Sequence, residues 1–386
     1  MNYDCSAPTS SLYIHWPFCP YKCNFCPFVA LAGHDQFMQQ YHNALVKEVK
    51  KFIEDNQEKR TLQTIFMGGG TPSTYPNDLL LDMFGTLYNG FIIDKTAEIS
   101  IEVNPGTVKQ EQLAVWKSVG INRLSIGVQS LKDSVLRSLN RHQSAQDVEW
   151  LLKQASSSFD NISVDLILGL PEVSSDEWKE LLKRVVTWPI THVSVYFLTV
   201  HENTPLYFKV QRNQVMLPPD DTIIELYHWT VDWLAQHGIL QYELSNFARP
   251  GYESKHNTVY WERLPYKGIG LGACSFDGTM RLQNEKNLMK YITEVEQKCH
   301  SPIISSEKLT GEQVHLEKLM LGLRRSKGIA RKELLSGIKQ ELWEQCDKKI
   351  DILIENGFLR EKDSQLVLTP KGLILENEIV VQLTFD

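Results

Sequence analysis

The sequence lacks long apolar runs, an excess of positive charge and an even number of cysteines. No stretch approaches the roughly 20 apolar residues that span a bilayer. The polar segment from Met1 to Ser11 lacks the basic start and apolar middle of a secretory signal. The net charge of −7 argues against a dedicated nucleic-acid binder, because such proteins carry a basic excess. We therefore expect a globular cytoplasmic protein with no nucleic-acid partner, whose seven cysteines do not form a disulfide framework.

The length of 386 residues indicates one large domain and one small one. The first half of the chain alternates strand-like runs with amphipathic stretches. The predicted strands are Leu12–Trp16, Thr64–Gly68, Glu98–Val103, Arg123–Val128, Ile162–Leu168 and His192–Leu198. The predicted helices are Asp35–Asp55, Asn77–Tyr88, Lys109–Ser118, Ser144–Ser157 and Ser175–Thr187. Repeated strand–helix units indicate parallel strands with right-handed crossovers, in either an open doubly wound sheet or a barrel.

The alternation within the predicted strands favours the barrel. In the third strand Glu98, Ser100 and Glu102 alternate with apolar residues, and in the fifth strand Ser163 and Asp165 do the same. Strands of a doubly wound sheet are usually apolar on both faces. One apolar face would be covered by helices, and the polar face would line a cavity. We therefore predict an α/β fold with an incomplete barrel, a polar interior and a site at the carboxyl ends of the strands.

The composition changes in the second half of the chain. After Pro218 the sequence predicts a helix over Asp221–His237, ended by Gly238, and then an irregular aromatic stretch from Gln241 to Phe276. After about Ser305 it becomes charged and predicts three helices followed by a hairpin. These elements are Glu312–Arg324, Arg331–Gly337, Glu341–Asn356 and the strands Phe358–Arg360 and Gln365–Leu368. This order indicates a winged-helix-like α+β tail, for which the mixed charge makes packing at least as good an explanation as DNA binding.

Three of the seven cysteines, Cys19, Cys23 and Cys26, lie within eight residues directly after the first predicted strand. Thiolates in a tight loop are typical ligands of zinc or of an iron–sulfur cluster. A structural zinc site needs four ligands, and His15, the nearest candidate, lies within a strand. A cubane cluster bound by three thiolates leaves one iron open for a small molecule, which accounts for a loop with three cysteines instead of four. The remaining cysteines are expected to be buried free thiols; they are Cys5, Cys274, Cys299 and Cys346.

The spacing CxxxCxxC after the first strand resembles the signature of the radical S-adenosylmethionine (SAM) superfamily. The resemblance implies a partial (β/α)6 barrel and a 4Fe–4S cluster whose open iron binds SAM. It also implies cleavage of SAM to a 5′-deoxyadenosyl radical by one electron. The glycine-rich run Gly68–Ser73, with sequence GGGTPS, resembles the family segment that contacts the aminoacyl part of SAM. Such a run is by itself a weak signal, because a plain tight turn would have the same composition.

Further motifs occur in a fixed order along the chain. They are Tyr13–Phe18 (YIHWPF), Glu102–Pro105 (EVNP), Gly127–Ser130 (GVQS), Asn140–His142 (NRH), Asp165–Pro171 (DLILGLP) and His256–Trp261 (HNTVYW). Together they resemble the family of the oxygen-independent coproporphyrinogen III oxidase and, more closely, the HemW haem chaperones. The resemblance runs from about Leu12 to Phe276, and the tail fits the family's C-terminal domain.

This resemblance implies three groups of functional residues. The cluster ligands would be Cys19, Cys23 and Cys26. The SAM contacts would be Tyr13, Phe25, Gly69, Gly70, Thr71, Glu102, Gln129, Arg141 and Asp165. His256 would be an axial haem ligand, since imidazole commonly takes that position; the alternative is a hydrogen-bonded loop histidine.

Two features favour a haem chaperone over an oxidase. The oxidase pattern continues CxxxCxxCxC, whereas Phe28 occupies the position of the extra cysteine. The sequence around His256, with Tyr260 and Trp261, matches the HNxxYW motif associated with haem in HemW-like proteins. One feature departs from the family pattern: the residue after the third cysteine is usually aspartate, and here it is Pro27. Because proline has no backbone N–H, a hydrogen-bond donor near the cluster is lost.

The resemblance also implies a division of the chain and a set of partners. We expect a partial barrel with the cluster loop over residues 1–215, a barrel-completing extension with the HNxxYW motif over 216–304 and the winged-helix-like domain over 305–386. The expected partners are a haem-accepting protein and a reductant such as flavodoxin. The candidates for the haem acceptor include a membrane protein that is bound transiently. The alternative function is oxidative decarboxylation of coproporphyrinogen propionates.

Overall fold

The computed structural model describes residues 9–55, 59–298, 302–336 and 339–384. The strands in these ranges are β1 (Ser11–Trp16), β2 (Phe18–Cys19), β3 (Leu31–Ala32), β4 (Thr61–Gly69), β5 (Ile92–Val103), β6 (Arg123–Gln129), β7 (Asn161–Leu168), β8 (His192–Phe197), β9 (Leu240–Glu243), β10 (Asn246–Ala248), β11 (Lys267–Ile269), β12 (Cys274–Phe276), β13 (Met280–Asn284), β14 (Ile303–Lys308), β15 (Ile329–Ala330), β16 (Leu359–Lys362) and β17 (Gln365–Leu368).

The helices are α1 (Met38–Glu54), α2 (Asn77–Gly90), α3 (Gln110–Ser118), α4 (Asp133–Ser138), α5 (Ala145–Ala155), α6 (Ser175–Val185), α7 (Pro205–Gln211), α8 (Asp220–Gln236), α9 (Lys255–Trp261), α10 (Leu288–Lys298), α11 (Gly311–Arg324), α12 (Arg331–Ser336), α13 (Trp343–Glu355), α14 (Pro370–Leu373) and α15 (Glu376–Leu383). None of the helices in the described ranges is long and apolar enough to cross a membrane.

The main sheet has the strand order β11-β1-β4-β5-β6-β7-β8-β10-β9. Its six central strands, β1 and β4 to β8, pair in parallel with one another. Within the described chain β11 and β9 form the two edges, so the barrel is incomplete. The prediction of an α/β fold with a partial (β/α)6 barrel is confirmed, and each predicted strand lies at its expected place. The largest difference is in β5, which begins at Ile92 instead of Glu98.

The alternating polar and apolar residues of the strands lie in two different environments, the barrel interior and the helix-covered core. Ile99 and Ile101 of β5 are buried in the main hydrophobic core, together with Trp116 of α3. Glu98 and Ser100, which alternate with them, are buried polar residues. The helices cover the apolar face, because their own apolar residues recur at helical spacing, as Leu45 and other residues of α1 do. The opposite face therefore lines the interior of the barrel.

The segment expected to be irregular contains regular structure. Between Gln241 and Phe276 the chain forms short strands and the seven-residue helix α9. Three of these strands extend the main sheet. β11 pairs in parallel with β1, β10 pairs antiparallel with β8, and β9 pairs antiparallel with β10. The prediction of an irregular stretch was wrong because hydrogen bonds to distant strands, which the local composition does not reveal, form these elements.

The tail contains the three predicted helices and the predicted hairpin, with a second core of its own. The hairpin strands β16 and β17 pair antiparallel, and β15 completes a three-stranded sheet. The last helix, α15, was not predicted; its buried residues Ile379 and Leu383 join the core that includes Leu319 of α11. The winged-helix-like α+β character of the tail is confirmed.

The expectation that the scattered cysteines are buried holds for one of the two that the structure describes. Cys346 is buried in the tail core, whereas Cys274 is exposed at the start of β12. Cys5 and Cys299 lie outside the described residues. The expectation was wrong for Cys274 because β12 belongs to a small surface sheet, β12-β13-β14, rather than to the barrel.

Candidate functional site

A cleft of about 630 Å³ opens at the carboxyl ends of the parallel strands. The strand register brings these ends together, because Trp16 pairs with Gly69 and Gly127 with Asp165. Most of the predicted site residues line this cleft. They are Cys19, Cys23, Phe25, Cys26, Gly69, Gly70, Thr71, Glu102, Gln129, Arg141 and Asp165. The two others, Tyr13 and His256, line a smaller inner cavity of about 210 Å³.

The cysteine loop follows β2 and is fixed by backbone hydrogen bonds to two helical segments. The amide of Asn24 donates to the carbonyl of Leu139 at 2.9 Å, and the carbonyl of Asn24 accepts from Leu206 at 3.0 Å. Within the loop, the amide of Cys26 donates to the carbonyl of Cys23 at 3.1 Å. The backbone of Asn24 therefore anchors the loop to both segments.

Two of the thiols have a polar partner from another part of the sequence. Thr71 Oγ1 donates to Cys19 Sγ at 3.2 Å, and Arg141 Nη1 lies 3.7 Å from Cys23 Sγ. Burial raises the pKa of Cys19 to about 11 and also raises the pKa of Cys26. Metal or cluster binding must therefore displace protons from these thiols.

This donor set fits an iron–sulfur cluster better than a zinc ion. Within the described ranges no three potential ligands converge on one metal ion. The cysteines of a cubane bind different irons, so their sulfurs need not meet at one point. The proposed fourth zinc ligand, His15, is engaged at both ring nitrogens, with Tyr13 OH at 3.0 Å and the carbonyl of Val29 at 2.9 Å. Burial lowers the pKa of His15 to about 4, so the ring is neutral.

The glycine-rich run is required by the close approach of neighbouring chain segments. A Cβ at Gly70 would lie 2.3 Å from the carbonyl oxygen of Pro17, and Gly69 has φ of 122°. The amide of Gly69 donates to Glu102 Oε2 at 3.0 Å. The run therefore lines the cleft with backbone at a point where a side chain would collide with His15, Pro17 or Phe18, the residues that lead into the cysteine loop.

Two buried carboxyl groups, Glu102 and Asp165, lie on the interior face of the barrel and line both cavities. Burial, with the nearby Asp165 charge, raises the pKa of Glu102 to about 8. Burial also raises the pKa of Asp165, against the hydrogen bonds from Ser194 and Ser125. Burial in the cleft therefore favours the protonated form of both carboxyl groups, and a cationic or hydroxyl-rich ligand would favour their deprotonation.

The inner cavity contains a charged group that the sequence reasoning missed. Arg123 is buried at the start of β6, where its Nη1 donates to Asn161 Oδ1 at 3.0 Å. It lines the inner cavity with Ser125, Ser194 and Tyr196. The same two-residue alternation that identified Glu102 could have found Arg123 and Ser125, because they share the interior face of β6 with Gly127 and Gln129.

His256 lies in helix α9 and is only 1% exposed. Its Nδ1 is 2.8 Å from Thr64 Oγ1 and its Nε2 is 2.8 Å from Tyr260 OH. The ring also stacks on Phe66 with a centroid distance of 5.1 Å. Burial lowers the pKa of His256 to about 3, so the neutral ring donates to one hydroxyl and accepts from the other. Its role as a haem ligand stays a prediction, and coordination would require one of these hydrogen bonds to break.

The HNxxYW motif connects the barrel to the tail. Glu98 of β5 accepts hydrogen bonds from the amides of Lys255 and His256, each at 3.0 Å, at the start of α9. At the other end of α9, the Arg324 guanidinium lies 4.6 Å from the ring of Trp261. The helix therefore contacts both parts of the molecule, its histidine facing the barrel and its tryptophan the tail.

The two departures in the cysteine loop, Pro27 and Phe28, both line the cleft. Phe28 is 67% exposed although it is a large apolar residue. An open aromatic surface therefore occupies the position at which the oxidase pattern has a thiol.

Comparisons with protein families place two models on the chain. A model described as the radical SAM superfamily matches residues 13–185, and a model described as the HemN C-terminal domain matches residues 309–375. The first covers the barrel with the cysteine loop, and the second covers most of the tail.

Comparisons with individual proteins cover almost the whole chain. The haem chaperone HemW of Bacillus subtilis is 33% identical over 96% of this chain and 97% of its own length. The HemW of Synechocystis is 35% identical over 97% of this chain and 96% of its own length. The solved structure of coproporphyrinogen III oxidase from Escherichia coli, described as a radical SAM enzyme, superposes on this chain with a TM-score of 0.83 at 25% identity. It covers 99% of this chain and 91% of that chain.

Proposed function

We propose a haem-chaperone function for this chain, which belongs to the HemW family of the radical SAM superfamily. The chaperone would bind haem and transfer it to an acceptor protein. The observation that carries the proposal is the similarity to haem chaperones over nearly the whole length, together with the aromatic Phe28 in place of the oxidase cysteine. A cytoplasmic location is part of the same proposal.

In this proposal Cys19, Cys23 and Cys26 hold a 4Fe–4S cluster through three thiolates. A cluster held there would supply an electron for the reductive chemistry of SAM. Thr71 and Arg141 support the assignment, because a hydroxyl and a guanidinium near the sulfurs favour the thiolate form. The tight packing of the glycine run against the loop would keep that geometry rigid.

The SAM contacts are proposed around the same loop. Backbone at Gly69, Gly70 and Thr71 would hold the aminoacyl end, and Arg141 would pair with the SAM carboxylate. The other assigned contacts are Phe25, Glu102, Gln129 and Asp165, which line the cleft, and Tyr13, which lines the inner cavity beside Glu102. Glu102 and Asp165 would accept hydrogen bonds from the ribose hydroxyls or the amino group.

Haem transfer tests the chaperone proposal. The anaerobically reconstituted protein is loaded with one equivalent of haem, and apomyoglobin is added as a general acceptor. We expect one haem to bind per chain. We also expect the rate of haem transfer to apomyoglobin to exceed the rate of haem release to an inert hydrophobic trap. No binding of haem by the reconstituted protein would contradict the proposal.

The second candidate function is oxidative decarboxylation of coproporphyrinogen III. The similarity of the whole chain to the Escherichia coli oxidase, with a TM-score of 0.83, favours it. It would require SAM and an external electron donor such as flavodoxin. Formation of protoporphyrinogen in a reaction with SAM and reductant would establish it, and the absence of an acceptor protein from that reaction separates it from the chaperone function.

A further inference from the structure

We propose that the haem cargo binds in the outer part of the cleft with His201 as its axial ligand. The proposed site consists of His201, the apolar residues Phe28, Phe197 and Leu198, and Lys22 at the rim, all of which line the cleft. We call these five residues the outer cleft. This inference rests on the proposed function, because it assigns a place to the cargo of the chaperone.

His201 is held at the rim by its backbone while its ring is open. The residue lies between β8 and α7, and its carbonyl accepts from Thr204 Oγ1 at 2.7 Å, where Thr204 caps the start of α7. The side chain is exposed, and its ring makes no hydrogen bond to any residue in the described ranges. An exposed imidazole on a fixed backbone is ready to coordinate iron without breaking a bond in the protein.

Two other histidines, the candidate zinc ligand His15 and the predicted haem ligand His256, cannot coordinate iron without losing a hydrogen bond. Both are buried, and both ring nitrogens of each are engaged in hydrogen bonds. His142, which is exposed nearby, does not line the cleft, and its Nε2 is 2.9 Å from Asn140 Oδ1. His201 is therefore the histidine of the described cleft lining that can reach a ligand with an unengaged ring.

The surroundings of His201 match the chemistry of a porphyrin. Phe28 is 67% exposed, and Phe197 is 37% exposed although its ring also packs against the buried Tyr227 with a centroid distance of 5.1 Å. Both residues therefore present apolar surface to the open cleft. Exposed apolar surface of this kind is typical of a ligand or partner site. The charged groups that we assign to SAM, Glu102, Arg141 and Asp165, are buried, which leaves the exposed apolar residues to a second and more apolar ligand.

A cation stands at the same rim. Lys22 is exposed, and its Nζ is 3.4 Å from the carbonyl of Phe28. A propionate needs a positive partner at the edge of an apolar site, and an exposed ammonium on a flexible stem provides it. The outer cleft thus supplies the three elements that haem requires, namely an axial nitrogen, apolar walls and a cation for a propionate.

The test is a titration of ferric haem into the cluster-loaded protein with SAM, followed by difference absorption and electron paramagnetic resonance spectra. His201→Ala is compared with the parent, with His256→Gln and with the matched control His228→Ala, since His228 lies on α8 outside the cleft. We expect His201→Ala to weaken haem binding by about tenfold or more and to lose the spectral signature of histidine ligation. The two other variants should keep both, and added imidazole should restore the signature to His201→Ala, which a merely structural role would not produce.

Each outcome decides between the claims. Unchanged affinity and spectra in His201→Ala would overturn the assignment of His201 while leaving the chaperone proposal intact. Loss of histidine ligation in a folded, cluster-loaded His256→Gln variant would overturn it in favour of His256. Failure of the parent protein to bind haem would overturn both the assignment and the proposed function.

Discussion

At the scale of single residues, the cleft combines groups whose charge depends on what enters it. Glu102 is held between the amide of Gly69 and the neighbouring Asp165, and burial dominates the rise of its pKa to about 8. Alternation along the strand predicted that Glu102 faces the interior. The raised pKa could not be predicted from sequence, because it depends on how completely the barrel and the cysteine loop exclude water.

The raised pKa of Glu102 predicts a pH-dependent stability. Because the folded pKa lies above the usual value of 4.5, the folded state holds one more proton than the unfolded state between about pH 4.5 and 8. Glu102 therefore favours folding least at high pH, and stability falls as pH rises through that window. We expect the melting temperature of Glu102→Gln, taken relative to that of the parent, to be higher at pH 9 than at pH 5. The comparison uses cluster-free, SAM-free parent and variant. A difference in melting temperature between them that stays constant from pH 5 to pH 9 would contradict this prediction.

The cysteine loop gives a second prediction at this scale. Cys23→Ala removes a thiol near the Arg141 guanidinium, and we expect the variant to lose most of its iron and its charge-transfer absorption after anaerobic reconstitution. Cys274→Ala serves as the matched control, because Cys274 is an exposed thiol outside the cleft. Equal iron content in the two variants, measured by metal analysis, would show that the loop does not hold the cluster.

At the scale of elements, the sequence predicts the strand–helix units well and the connections between distant segments poorly. The six central strands were found because alternation with period two survives in each of them. Helix α9 was missed because it is only seven residues long and is fixed at its start by Glu98, which lies over 150 residues earlier. Helix α15 was missed because its apolar residues acquire a partner only in the folded tail core.

Helix α9 gives a prediction about His256. Replacing His256 with alanine leaves the buried Thr64 Oγ1 and the half-buried Tyr260 OH without their partner, at a cost of about 1–3 kcal/mol for each group left unsatisfied. We expect His256→Ala to lower the free energy of unfolding by about 3 kcal/mol, measured by urea denaturation. His256→Gln, which keeps a donor and an acceptor, should lose less. An unchanged midpoint in His256→Ala would mean that the ring is not integral to the barrel.

At the scale of the whole molecule, the tail is fixed to the barrel extension through paired charges. Arg324 of α11 forms a salt bridge with Glu243 of β9, which is fully buried, and Arg263 pairs with Glu317 at 2.8 Å. The family motifs predicted the barrel and the cysteine loop because they are local in sequence. They could not predict this contact or the outer cleft, since neither His201 nor Arg324 belongs to a recognisable pattern.

The Arg324–Glu243 pair gives a prediction about this contact. Arg324→Met leaves the buried Glu243 carboxylate uncompensated, and we expect a loss of about 3–5 kcal/mol in the free energy of unfolding. Arg325→Met is the control, because Arg325 pairs with the more exposed Glu262 and should lose about 1 kcal/mol or less. Similar urea midpoints for the two variants would show that the buried pair does not hold the tail in place.

The central claim, that this chain carries haem and does not make it, is tested by one reaction. The anaerobically reconstituted protein is incubated with SAM, reductant and coproporphyrinogen III, and mass spectrometry follows the loss of two carboxyl groups while haem is titrated in parallel. We expect no decarboxylated product and one bound haem per chain. Decarboxylated product would identify an oxidase that works with Phe28 in place of the extra cysteine and would contradict the account.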